Sequence, residues 1–170
     1  LDDKRQGLLM EAVPGARRMA ALFDARVTRE SHLKALQNAA RARGADLKVF
    51  GVSGPEEIVA AINAASASGA EAMNFLATSL FSVSSRVVFE RVAALRVPAM
   101  YQWAEMAEMG GLMAYGARST EVFRQRARLL IKVLHGAKPA DLPVEQPTRF
   151  ELVINLKTAK AIGHEIPAAL

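Results

Sequence analysis

Short apolar runs alternate along this chain with segments of helical periodicity, and that alternation constrains the fold more than any other feature. The runs are "RRMAALFD" at 17–24, "ADLKVFGV" at 45–52, "AEAMNFLA" at 70–77, "VPAMYQW" at 97–103 and "GLMAYG" at 111–116. Each is a few residues long and apolar at nearly every position, the pattern of a strand buried on both faces. Between them lie helical stretches: a first helix at 1–13 ahead of Pro14 and Gly15, then 29–43 closed by Gly44, "SGPEEIVAAINAASASG" closed by Gly69, and "VVFERVAALR" at 87–96. In the third, Ser53 as N-cap with Glu56 three residues on reads as a capping box, and Pro55 suits the first turn. Strands that alternate with helices of this length form βαβ units. The expected fold is an α/β three-layer sandwich with a parallel central sheet, a Rossmann-like lobe over residues 1–116.

After Gly116 the pattern changes. "RSTEVFRQRARLLIKVLHG" reads as one helix capped by Ser119 or Thr120, with Phe123, Ala127, Leu130 and Leu134 on one face. This helix and its connection occupy 117–140. "TRFELVIN" and "LKTAKAIG", with Asn155 as cap, form a strand and helix that return to the lobe within 141–170. The apolar stripe needs a cover, and we expect the helix at 119–135 to pack on a second copy of the chain, as a homodimer, and not on its own sheet.

Open α/β sheets bind ligands at the carboxyl ends of their strands. Here those loops are "DARVTRE", "ATSLFSVSS", "YQWAEM" and "YGARST", all carrying polar or aromatic residues. "TSLFSVSS" reads as a polar loop leading into the next helix. No P-loop or GxGxxG occurs, no GxSxG surrounds the serines, and His32, His135 and His164 belong to no HExxH pattern. Cysteine is absent, which excludes thiol chemistry and cysteine metal sites within these residues. The formal net charge is +5, but the arginines are spread over several segments, so no nucleic-acid partner is expected. Glu105 and Glu108 share a helix face and are the one carboxylate pair on which an α/β enzyme could be built. Polar loops at the ligand edge with no catalytic set favour binding over turnover, with no cofactor or metal.

Four stretches carry a specific resemblance: "EAVPGARRMAALFD", "VPAMYQWAEMAEMGGLMAYG", "GAKPADLPVEQPTRFELVINLKTAKAIG" and the closing "IP". They resemble the ABC transporter substrate-binding protein family, which has the type 1 periplasmic binding protein fold. The resemblance covers nearly the whole chain and is most specific from Ala137 to Gly163. It implies two hinged α/β lobes with ligand clamped between them, this chain being the second lobe with its crossover segments. It implies a small-molecule ligand, an amino acid or small organic acid, delivered to an ABC transporter permease without catalysis, in a periplasmic or exported setting. The chain begins with Leu1, so the first lobe and an export signal, with or without a lipid anchor, are expected upstream. Where many relatives carry an Asn-Pro loop, this chain has Asp24-Ala25-Arg26.

The ligand residues this implies are Asp24, Thr28, Thr78 and Ser79 for hydrogen bonding and Phe81 and Tyr101 for apolar contact. Gln102 and Tyr115 are placed near the cleft, with Gly110 and Gly111 turning the chain into the crossing strand. The rival readings are the effector-sensing domain of a transcription regulator, which shares the fold, and the α/β enzyme on Glu105 or Glu108.

Overall fold

A computed structural model describes residues 1–170. One six-stranded sheet runs through it in the order β2-β1-β3-β4-β5-β6. The strands are β1 (Arg18–Asp24), β2 (Asp46–Val52), β3 (Ala72–Phe75), β4 (Ala99–Tyr101), β5 (Met113–Gly116) and β6 (Glu151–Ile154). The first five are parallel, and β6 lies antiparallel beside β5 with Gly116 opposite Glu151. The sheet is therefore mostly parallel, with one reversed edge strand. The reversal follows from connectivity, because β6 returns from an excursion that began where β5 ends.

The pleat divides the core in two. Ala20 and Leu22 of β1 face one side, together with Met73, Phe75, Ala99, Tyr101 and Ala114. Met19 and Ala21 face the other with Ala72, Met100 and Met113. The first side is covered by α3 (Ile58–Ala67), α4 (Ser79–Val83), α5 (Ser85–Leu95) and α6 (Ala104–Glu108), through residues such as Ile62, Phe81, Val88 and Met106. The second is covered by α1 (Asp2–Ala12), α2 (Glu30–Ala42) and α8 (Leu156–Ile162), through Leu9, Leu36 and Ile162. Side chains of this size, fully buried, each stabilise the fold by about 1.5–3 kcal/mol.

The remaining helix, α7 (Ser119–Leu134), behaves differently: none of its residues is buried. Phe123 is 62% exposed and Leu134 77%. The stripe read from the sequence thus lies on no part of its own sheet.

Several local expectations are corrected. "TSLFSVSS" is not a loop. Thr78 caps α4 by accepting from the Leu80 N–H, and burial of Leu80 and Phe81 holds that turn helical. No capping box forms at Ser53: Pro55–Glu57 make a 3-10 turn, and the Ser53 N–H donates to Glu57 Oε2 at 2.7 Å, one residue beyond the expected partner. Neither Ser119 nor Thr120 caps α7. Arg118 occupies the cap position without a side-chain bond, and Ser119 donates to Glu105. Asn155 does cap α8, accepting from the Thr158 N–H.

Candidate functional site

Parallel strands bring their carboxyl ends to one edge. In this strand order the connections from β1 and β3 leave on opposite faces, and the switch between them opens a crevice. Asp24 ends β1 at that point and is almost wholly buried. Its Oδ1 accepts from the backbone N–H and Nε of Arg26, and its Oδ2 from Arg26 Nη2 at 2.9 Å and Thr78 Oγ1 at 3.1 Å. These donors, the Arg26 side chain foremost, hold the Asp24 carboxyl down at about 2. The Thr28 N–H donates to the Asp24 carbonyl, closing the turn after β1.

The next strand end is tied to the same group. Gln102, just after β4, donates from Nε2 to the Thr78 carbonyl at 2.7 Å and also to Ser82 Oγ. The Gln102 carbonyl accepts from Arg5 Nη2, and the Tyr115 carbonyl accepts from Arg5 Nε at 2.7 Å. Arg5 is 3% exposed and also pairs with Asp2. Burial pulls its pKa below the ordinary arginine value, against the opposing pull of Asp2. One guanidinium therefore staples the ends of β4 and β5 together. Gly116 completes the arrangement, because a Cβ there would lie 1.9 Å from the Gln102 carbonyl oxygen.

A cavity of about 560 Å³ opens beside these residues, between α4, α6 and the first turns of α7. Thr78, Ser79, Ser82 and Gln102 form its polar side, and Trp103, Met106, Met109 and Phe123 an apolar side. Its size falls within the range of small-molecule sites. A second hollow of about 500 Å³ adjoins Thr28, His32 and Ala77.

Of the residues picked from the sequence, Asp24, Thr28, Thr78, Ser79 and Gln102 all lie on this edge. Asp24 is turned inward, as the anchor of the edge. Phe81 and Tyr101 are in the core and line neither of these two hollows. The pleat sends Tyr101 to the face covered by α3 to α6, where its ring is 1% exposed, stacks on Phe75 at 5.1 Å and meets Phe89 edge-on. Phe81 packs edge-on against Phe75 from α4. Tyr115 is half-buried on the opposite face and stacks with Phe150. Gly110, at φ +128°, makes the turn out of α6, and a Cβ on Gly111 would meet the Tyr101 ring at 2.6 Å.

Glu105 and Glu108 do not form a pair. Glu105 Oε1 accepts from the Ser119 N–H and hydroxyl, and Glu108 is bonded to Arg118, which also holds Glu151. Arg5, Ser82 and Trp103 were not picked out in the sequence. Ser82 becomes visible only once "TSLFS" is helical, and Arg5 only once α1 is known to cross the strand ends.

A family model described as ABC transporter substrate binding protein matches residues 2–170. The chain belongs to that family. Among solved structures, the chain is similar to an ABC domain from Streptococcus pneumonia in complex with L-Trp, at 22% identity and TM-score 0.84, covering 99% of this chain and 57% of that one. A conserved domain protein from Vibrio cholerae matches at 19% identity and TM-score 0.86 over the same shares. The ligand-free, open structure of a substrate binding protein with adhesive properties from Clostridium difficile matches at 20% identity and TM-score 0.68, over 98% of this chain and 56% of that one. These likenesses establish the fold. The chain spans a little over half the length of each of them. No curated protein matches its sequence.

Proposed function

We propose that this family member serves as one wall of a two-lobed clamp, the solute-binding component that feeds an ABC importer, and that it binds without catalysis. In this reading residues 1–116 form the second lobe, 117–140 the crossover and 141–170 the returning strand and helix. The observation that carries it is the polar strand edge, with its open cavity, in a chain that matches just over half of each relative. The ligand class proposed is an amino acid or small organic acid. One relative is in complex with L-Trp, and the cavity here combines an apolar wall with hydroxyl and amide groups. Thr78, Ser79 and Gln102 are the proposed polar contacts and Thr28 a further one at the adjoining hollow. Apolar contact is assigned to Trp103 and Phe123 in place of the buried Tyr101 and Phe81.

A periplasmic or exported setting, with an importer permease as partner, belongs to the same proposal, as does anchoring through an upstream lipid. No helix is long and apolar enough to cross a membrane. The exposed stripe of α7 supports association, with a second copy of the chain through 119–135 as the homodimer proposed.

Calorimetry tests the clamp. A single wall buries only part of a ligand, so this chain should bind a cognate amino acid at least tenfold more weakly than a two-lobed protein that includes it, roughly 1.4 kcal/mol. Equal affinities would show that no second wall takes part.

A further inference from the structure

Strands β4 and β5 pair at only two positions, Met100 with Met113 and Tyr101 with Ala114. The next step of that register would set Gln102 beside Tyr115, and there the ladder stops. Arg5 bridges these same two residues: its Nε donates to the Tyr115 carbonyl and its Nη2 to the Gln102 carbonyl. A guanidinium is planar and rigid, so one fork holds its two acceptors at a fixed spacing. The third nitrogen, Nη1, is held by Asp2 at 2.6 Å, and the other oxygen of Asp2 meets His32 of α2 at 3.0 Å. The fork is thus anchored on helices that belong to neither strand.

The two carbonyls mark the roots of two cavity walls. Gln102 begins one: its side chain reaches the Thr78 carbonyl, and Trp103 and Met106 follow it in the chain. Tyr115 begins the other, because residues 116–118 lead straight into α7, whose Val122, Phe123 and Arg126 complete the lining. Water could satisfy two strand-end carbonyls; only a rigid fork fixes their spacing. We propose that Arg5 is a positioning residue for solute binding, setting the spacing of the two cavity walls through the carbonyls of Gln102 and Tyr115. The proposal rests on the solute-binding reading and adds to it a residue from α1. Walls that are in place before the ligand arrives need not be ordered by it, and that saving appears as affinity.

The chain has no cysteine, so two introduced ones carry spin labels without interference. Labels at Val83→Cys, at the end of α4, and Lys132→Cys, in the last turn of α7, report the wall-to-wall distance by double electron–electron resonance. Labelled chain is diluted into unlabelled chain, so that only distances within one copy are read. The parent should give one narrow distribution. Arg5→Lys keeps the charge, loses the fork and should widen the distribution at least about twofold. Asp2→Asn loosens the anchor of the fork and should widen it in the same sense, which keeps the test open if Arg5→Lys does not fold. Leu36→Ala, a truncation in the buried face of α2, controls for lost stability and should leave the width unchanged. All are compared where circular dichroism shows them folded. A parent distribution that is already broad, variants as narrow as the parent, or equal broadening in Leu36→Ala overturns the proposal. Calorimetry on the unlabelled proteins adds L-tryptophan as probe. Where the parent binds it, Arg5→Lys should bind at least about tenfold more weakly and Leu36→Ala as the parent does. Equal affinities of parent and Arg5→Lys also overturn the proposal. No binding by the parent counts against the amino-acid reading alone, and the distances then decide the role of Arg5.

Discussion

The Thr78 hydroxyl donates to Oδ2 of Asp24 at 3.1 Å and accepts from the Leu80 N–H, so one side chain joins the end of β1 to the start of α4. The two residues lie on either side of the point where the sheet's connections change face. The geometry of that crevice therefore depends on a buried carboxylate and not on packing alone.

Replacing Asp24 with Asn should expose that dependence. The amide cannot accept from both Arg26 and Thr78 as the carboxylate does, and the expected cost is about 1–3 kcal/mol at neutral pH. The folded-state pKa is depressed to about 2. The carboxylate's contribution is then full above the unfolded value near 4 and lost as pH falls from there through about 2. Urea unfolding at pH 6 and pH 2 should show a gap between the two proteins that closes in acid. A gap that persists at pH 2 would mean that charge is not what Asp24 supplies.

Arg5→Met should be among the most damaging single changes. It strips a buried donor from the Gln102 and Tyr115 carbonyls and leaves Asp2 without its closest partner. A loss of about 3–5 kcal/mol is expected, because a buried pair is broken from one side. Arg5→Lys retains charge without the forked geometry and should fall between the two. Chemical denaturation midpoints order the three proteins.

Gly116→Ala adds one methyl group where there is no space for it. The obstacle is the backbone oxygen of Gln102, which cannot swing aside as a side chain can. Strand β5 must shift from β4, at a cost of at least about 1–3 kcal/mol. Amide hydrogen exchange should show the loss of protection concentrated in β5 and β6 and absent from β2.

Leu130→Asp tests the role of α7. Leu130 is 59% exposed within the chain, so the substitution should leave the unfolding free energy of the monomer, measured at a concentration too low for association, within about 0.5 kcal/mol. Light scattering at tens of micromolar should give a dimer for the parent protein and a monomer for the variant. A parent that is already a monomer removes the homodimer from the proposal.

The lobe itself was legible in the sequence because period-2 and period-3.6 patterns are local. Met19 and Ala21 face one way and Ala20 and Leu22 the other, as alternation requires. The helix after Gly116 was legible for the same reason. What failed was the assignment of depth. Tyr101 stands at the end of a strand, where a ligand contact is plausible, but the choice of face belongs to the pleat and to Phe75 and Phe89 opposite. Serine-rich "TSLFSVSS" looks like loop because hydroxyls compete for backbone bonds. It folds as helix because Leu80 and Phe81 gain more by burial. Arg5 was hidden because its partners are carbonyls, and no residue type announces a backbone acceptor nearly a whole domain away.

The pairing of Gly116 with Glu151 fixes how anything attached to α7 could move. The segment 117–150 leaves the sheet beside the point where it rejoins it, and Arg118 ties that point to Glu151 and Glu108. Two limbs attached at neighbouring positions on one sheet edge share a single narrow base. A body carried on it would swing about that base as one piece, its attachment held by the β5–β6 ladder.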